Sequence, residues 1–363
     1  MVLARLNSRY GEMKLAGTVK RPDVAEDVVT TLLSAYQVWR QVVGDSMSGV
    51  GRSYDLAVEV LRPHKGLLES MENPNMLKQV TNRISDNPEV DSLYLTDSAA
   101  AGFLAAALNL SGIELFAGVF SGWWSVGYRL PRGKKLVALP GSNILAFGEE
   151  AEGEVYNLGR VASLGEGAKG GFMINKGDAT HIAGPGSRDC LLFNDGTTVE
   201  LGIGCLTGNV LINSNSGNIK GQTGAFLHPM FYLPEGCTGI NSGRTPEGFG
   251  SRNGQESFAV DFGRQYSSER RYKLLNVHLS YLTLEGRVAV RLDYPSYACE
   301  VLDGAEVPRL LSSLKAKVGK ATNACRDDAN TEEMVKRMTS YNWTGFKSSV
   351  LHLRAMIEEA VKE

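Results

Sequence analysis

Phe172-Met173-Ile174-Asn175, Leu191-Leu192-Phe193-Asn194 and Val210-Leu211-Ile212-Asn213 are one phrase, three apolar residues closed by asparagine, recurring at a constant interval. Gly177 and Gly196 keep the same interval, as do Gly202 and Gly221, and Val155-Tyr156-Asn157 precedes the first phrase by one residue less than that step. Asn143 to Gly148 and Met230 to Leu233 read as weaker outer members of the series. A constant period of this size is the mark of a repeat fold in which each unit is buried only by stacking on its neighbours. Short apolar runs between Gly, Asn, Asp and Ser corners coil, because such corners tolerate positive φ. The expectation is a short parallel β-solenoid, a right-handed β-helix, over residues 141–236. An antiparallel sandwich with asparagine turns would not demand a fixed period.

Stacked rungs place identical residues in ladders about 4.8 Å apart. The register therefore predicts an asparagine ladder through Asn175, Asn194 and Asn213, with amides bonded rung to rung. It also sets Lys176 against Asp195 and His181 against Glu200. His181 with Glu200, and Asp178 and Asp195 nearby, are the candidate acid and base groups of the chain. As ordinary surface pairs they would be worth less than about 1 kcal/mol.

The fold class expected for the whole chain is α+β, the solenoid being flanked by helices. Residues 1–140 read as helical and α/β. Pro22 opens a helix whose Val24, Val28, Leu32, Ala35 and Trp39 share a face, and shorter helical segments follow around Asp55 to Leu61 and Met76 to Ile84. Val90 to Leu95, a helix opened by Asp97 and running to Leu110, and Ile113 to Phe120 suggest a βαβ-like unit without the glycines of a dinucleotide turn. Residues 237–255 read as a polar, Gly-rich loop, with Arg244 and Arg252 as candidate binding residues on a contact surface or lid. Over 256–305 Leu275 to Thr283 and Val288 to Leu292 alternate around Glu285-Gly286 as a hairpin, and 306–363 reads as helices with a capping box at Asn330 and Glu333.

The run Gly165-Glu166-Gly167-Ala168-Lys169-Gly170-Gly171-Phe172-Met173-Ile174-Asn175-Lys176-Gly177-Asp178-Ala179-Thr180-His181-Ile182-Ala183-Gly184 resembles the GXGXG repeat. That repeat builds the C-terminal β-helix domain of glutamate synthase and the β-helical subunit of formylmethanofuran dehydrogenase. The resemblance covers about a hundred residues and is closest in this one rung. It implies a right-handed β-helix acting as a scaffold for catalytic domains or subunits that hold their cofactors elsewhere.

Composition narrows the field. The chain has 363 residues, 41 of them glycine, with 43% hydrophobic and 21% charged residues and a formal net charge of -2. A near-neutral chain is not a general nucleic-acid binder that depends on counterion release. Five cysteines without a CxxC pair read as reduced thiols, and the N-terminus lacks a signal-peptide pattern, which points to a cytoplasmic protein. Polar residues interrupt the apolar stretch from Ser98 to Phe120, so no membrane span is expected. His64, His181, His228, His278 and His352 form no metal-ligand spacing, no GxSxG elbow is present, and neither Gly184 to Arg188 nor Gly248 to Gly254 ends in GK[ST]. The sequence thus implies no cofactor and no metal. Its leading expectation is a non-catalytic scaffold or assembly subunit, with protein partners or self-assembly, whose terminal helices cap the stack and dock neighbouring chains. The alternatives are an enzyme acting on a carbohydrate polymer along the solenoid flank, and a viral or phage structural protein.

Overall fold

A computed structural model describes residues 24–43, 50–85, 95–182, 185–220, 230–244, 249–253, 258–262, 279–284, 287–292, 298–301 and 306–360. Helices α1 (Val24–Val43), α2 (Val50–Leu61), α3 (Lys65–Glu69), α4 (Pro74–Ser85) and α5 (Leu95–Leu110) come first. The helix expected over 22–43 is present from Val24 on, residues 22 and 23 lying outside the described residues, and those over 55–61 and 76–84 are present. The expected strand over residues 90–95 lies outside the described residues except for Leu95, which opens α5.

The strands then follow in rungs. They are β1 (Leu115–Gly118) and β2 (Ser121–Trp123); β3 (Lys135–Ala138) and β4 (Asn143–Phe147); β5 (Glu154–Asn157) and β6 (Arg160–Leu164); β7 (Phe172–Asn175) and β8 (Asp178–Ile182); and β9 (Leu191–Asn194) and β10 (Thr197–Leu201). Beyond them lie β11 (Val210–Asn213), β12 (Asn218–Ile219), β13 (Met230–Leu233), β14 (Thr238–Asn241), β15 (Phe249–Asn253) and β16 (Phe258–Asp261). The strand series ends with β17 (Leu279–Leu284), β18 (Arg287–Leu292) and β19 (Ala298–Val301). Helices α6 (Glu306–Ala324), α7 (Thr331–Ser340) and α8 (Trp343–Ala360) complete the chain.

The first strand of each rung joins sheet A, ordered β1-β3-β5-β7-β9-β11-β14-β16-β17-β18-β19; the second joins sheet B, ordered β15-β13-β10-β8-β6-β4-β2 with β12 beside β10. Pairing is parallel from β1 to β17, which makes a two-sheet β-solenoid, and β17, β18 and β19 close sheet A antiparallel. The hairpin pairs Leu284 with Arg287, as its alternation predicted. Parallel rungs begin at Leu115, earlier than residue 141, because β1 to β3 carry no asparagine at the corner that marks the later phrases.

Three local expectations change. Asn143 to Gly148 and Met230 to Leu233 were aligned with the asparagine phrase, but β4 and β13 are sheet-B strands. The sheet-A strand after Asn213 is Thr238-Gly239-Ile240-Asn241. The cause is an insertion: β10 pairs Thr198 with Ile219 but Glu200 with Met230, so nine extra residues enter one rung. Finally, residues 237–255 are not wholly loop, since β14 and β15 lie within them; Asn241 and Gly243 sit at a rung corner stacked on the one before, like the earlier ones.

Two cores explain the hydrophobic pattern. Leu136, Val155, Met173, Leu192 and Leu211 of sheet A point into the solenoid and meet Ile144, Phe147, Val161, Leu164, Ile182 and Leu201 of sheet B; this core continues into α1, α4 and α5. On the opposite face of sheet A, Val137, Tyr156, Ile174, Phe193 and Ile212 pack under Leu314, Val318, Met338, Trp343 and Val350 of α6 to α8. Sheet A is thus buried on both sides, and its strands read as unbroken apolar runs, as covered parallel strands do. The N-terminal helices cover the first rungs. The C-terminal helices run along sheet A instead of capping the far end, because the outward Tyr156, Ile174 and Phe193 give them a face to bury. Lys176 Nζ reaches Asp195 at 3.0 Å and Asp327, just before α7, at 3.1 Å, which pins that layer to the rungs.

The corner polar groups are satisfied by stacking. Asn157, Asn175, Asn194 and Asn213 each donate Nδ2 to the Oδ1 of the next member, at 2.8, 2.8, 2.8 and 2.9 Å, ending on Asn241. All five are buried. Beside this ladder runs a glycine ladder: a Cβ on Gly177 would sit 2.0 Å from the Gly159 carbonyl oxygen, and one on Gly196 2.1 Å from that of Gly177. Glycine is required there by close approach of the rungs, not by positive φ.

Candidate functional site

Sheet B differs from sheet A on its outer face. Its strands β4, β6 and β8 bury only their second and fifth residues, so the first, third and fourth positions face outward. Three ladders result. Asn143, Arg160, Asp178 and Thr197 are in register as the first. The third-position residues are Leu145, Ala162, Thr180 and Val199, the last of them buried. Ala146, Ser163, His181 and Glu200 are in register as the last.

This last ladder holds the chemistry. His181 Nδ1 lies 2.7 Å from Glu200 Oε2, with the histidine side chain 31% exposed and the glutamate 6%. With the carboxylate as acceptor, Nδ1 is the donor of this bond, and Nε2 is left outside it. Ser163 occupies the adjacent rung on the other side of His181, about 4.8 Å away along the ladder. Among the described residues its hydroxyl makes no hydrogen bond.

Along the neighbouring corner runs an open trough of about 400 Å³. Gly159, Gly177 and Gly196 form its floor, and Arg160, Lys176 and Asp178 line it. It crosses the rungs, and so runs along the solenoid axis. Towards the first rungs the face turns apolar: Trp124 is 39% exposed, Leu145 41% and Val119 55%. Trp123, paired with Ile144, packs into the interior core, which leaves the next residue, Trp124, outside.

The sequence-predicted residues separate into two groups. His181 and Glu200 make the expected pair, and Asp178 shares their face, on the same strand β8 as His181. Asp195 does not join them. Its side chain is closed off from solvent, paired with Lys176 and accepting a hydrogen bond from the Ser214 hydroxyl. Burial acts to lower the Lys176 ammonium, but the Asp195 and Asp327 carboxylates together outweigh it and hold Lys176 above its ordinary value. The pair serves the joint to the C-terminal helices. Arg244 is exposed, its backbone bridged to Asn218 at the rung corner. Arg252 lies in β15, and its side chain falls outside the described residues.

Ser163 and Trp124 were not singled out by the sequence. Ser163 precedes His181 by the same short step that separates Asn157 from Asn175, one residue less than the interval of the later rungs. The shorter rung carries the signal, and the longer period hides it. Trp124 belongs to a rung with no asparagine phrase at all.

Among the described residues no group of three His, Cys, Asp or Glu side chains can hold a metal ion, and no helix is long and apolar enough to cross a membrane. Comparison with models of known protein families, with curated proteins and with solved structures found no match.

Proposed function

We propose that this chain is an enzyme that holds an extended carbohydrate along the outer face of sheet B and hydrolyses a bond in or on it, with His181 and Glu200 as the proton-transfer pair. The observation that carries this reading is the 2.7 Å His181–Glu200 contact on the sheet-B face, which the trough borders at its corner and which carries the exposed Trp124 towards the first rungs. A trough across several rungs suits a polymer more than a compact ligand, and an exposed aromatic ring gives a sugar face something to stack on. The test is gel retardation of the purified chain by soluble polysaccharides. Trp124→Ala and Arg160→Ala are expected to weaken retardation several-fold; retardation identical to the parent in both variants would count against the reading.

A second reading keeps the chain as a scaffold or assembly subunit that binds a protein partner or a second copy of itself. Its support is the likeness of residues 165–184 to the GXGXG scaffolds and the exposed Val119, Trp124 and Leu145. Sedimentation distinguishes the two. A stable oligomer dispersed by Leu145→Glu favours assembly, whereas a monomer that binds polysaccharide favours the enzyme.

A further inference from the structure

We propose that Ser163 is a nucleophile, that Ser163, His181 and Glu200 form a hydrolytic triad stacked on three consecutive rungs, and that the bond cleaved is a short-chain acyl ester carried on a carbohydrate. The proposal rests on the outer face of sheet B being the working surface and deepens that reading by naming the bond and the covalent step.

The choice of an ester over a glycosidic bond follows from distances. Glycoside hydrolysis takes two carboxyl groups about 5–9.5 Å apart. Asp195 is committed to Lys176 and Ser214. Asp178 is one rung and three residues from Glu200, a backbone separation of about 11 Å, and Glu200 is held by His181. By backbone position, the outward ladders therefore offer Glu200 no second carboxylate within that spacing. They do offer a serine. Ser163 and His181 are directly paired on rungs about 4.8 Å apart, so the serine χ1 rotamer decides whether Oγ turns towards the imidazole. Glu200 orients the imidazole from its far side, which is the role of the acid in a Ser-His-acid triad.

The step balances with water as the second reactant. Ser163 Oγ bonds to the acyl carbon as its proton passes to His181 Nε2. The ester C–O bond then breaks, and the departing sugar hydroxyl takes that proton. Water gives a proton to His181 and bonds to the acyl carbon, the Ser163–acyl bond breaks, and the serine oxygen regains the proton. Ester and water become acid and alcohol, and the triad is restored. Ala146, in register with Ser163 on its other side, and Ala162 leave room for a small acyl group. The alcohol side faces the trough lined by Arg160 and Asp178, while Trp124 stands two rungs from Ser163, about 10 Å away.

The strand amides around Ser163 are engaged in the β4–β6 and β6–β8 ladders, so little is left to cradle an oxyanion, and turnover is expected to be slow. Covalent labelling is therefore the primary readout. The full chain is treated with a fluorophosphonate probe and mapped by peptide mass spectrometry, and p-nitrophenyl acetate hydrolysis is followed in parallel. The expected result is one label on Ser163, absent in Ser163→Ala, formed at least ten-fold more slowly in His181→Ala, and restored in part by added imidazole. Acetate hydrolysis falls at least ten-fold in Ser163→Ala with an unchanged melting temperature. Labelling at another residue, or equal hydrolysis in Ser163→Ala, overturns the proposal. If hydrolysis survives in Ser163→Ala yet is lost in His181→Ala and Glu200→Gln, the covalent step is wrong and the acid/base pair stands. If none of the variants changes hydrolysis, and polysaccharide retardation is also unaffected by Trp124→Ala, both readings fall.

Discussion

Asn194 Nδ2 donates to Asn213 Oδ1 at 2.8 Å inside a corner where neither side chain meets water, and the same bond is repeated on each side of it. The ladder is cooperative in the sense that removing one member strands two others. Asn194→Ala leaves the Asn175 amide and the Asn213 carbonyl each short of a partner, at roughly 1–3 kcal/mol per buried unsatisfied group. A loss of about 2–5 kcal/mol in urea unfolding is expected. Asn194→Asp, which cannot donate, should cost a similar amount.

The glycine ladder gives a sharper contrast. Gly177→Ala forces a methyl group onto the Gly159 carbonyl oxygen and should cost about 3 kcal/mol or more, since the rungs must separate. Gly66→Ala in α3, where nothing lies within 4 Å of the added Cβ, should be neutral or stabilising by up to about 1 kcal/mol. Melting temperatures of the two variants read both directions.

Lys134 links the N-terminal helices to the rungs. Its ammonium donates to the carbonyls of Leu108, Ser111 and Ile113 at 2.7, 2.6 and 3.0 Å, closing the C-terminal end of α5, where a cation also meets the negative end of the helix. Burial pushes this ammonium below its ordinary value, against the weaker pull of Glu114. Lys134→Met should therefore lower stability by about 1–3 kcal/mol and speed amide exchange at the end of α5 before it affects β7 to β11. Uniform acceleration over the whole chain would contradict this placement.

The buried thiols make stability fall on the alkaline side. Burial raises Cys190, Cys237 and Cys325 above 9.0 and pushes Cys205 up to about 12, with Ser187 pulling the other way. A folded-state value above the unfolded one gives stability that is complete below the unfolded pKa and is lost as pH rises through the folded value. Loss should begin near pH 9 and steepen by up to about 1.4 kcal/mol per pH unit for each thiol that stays protonated. Denaturant midpoints between pH 7 and 11 measure it; a Cys205→Ala variant should flatten the slope.

Much of the architecture is written in the chain because a rung repeats its own geometry. The asparagine phrases mark one corner of consecutive rungs, and their spacing alone carries the cross-rung pairs Lys176–Asp195 and His181–Glu200. Positions without that corner residue are silent: Ala138 takes the asparagine's place beside Asn157, so the earliest rungs show no phrase. The insertion breaks the period between Asn213 and Asn241, and a short apolar match then picked Met230 to Leu233 from the wrong sheet. Which face is covered depends on where α6 to α8 settle, a long-range choice that local pattern does not contain. That choice separates Asp195, locked under the C-terminal layer, from His181 and Glu200 on the open one.

The central claim is the sheet-B register that sets Ser163 beside His181, and in-register cross-linking tests it most directly. In a Cys299→Ser background, Arg160→Cys with Asp178→Cys places two outward cysteines on directly paired positions, with Cα atoms about 4.8 Å apart, inside the range a disulfide spans. Arg160→Cys with Thr180→Cys places them about 8 Å apart. Mild oxidation should close the first pair rapidly and leave the second open. Closure of the second pair, or of neither, would contradict the register and, with it, the alignment of Ser163, His181 and Glu200.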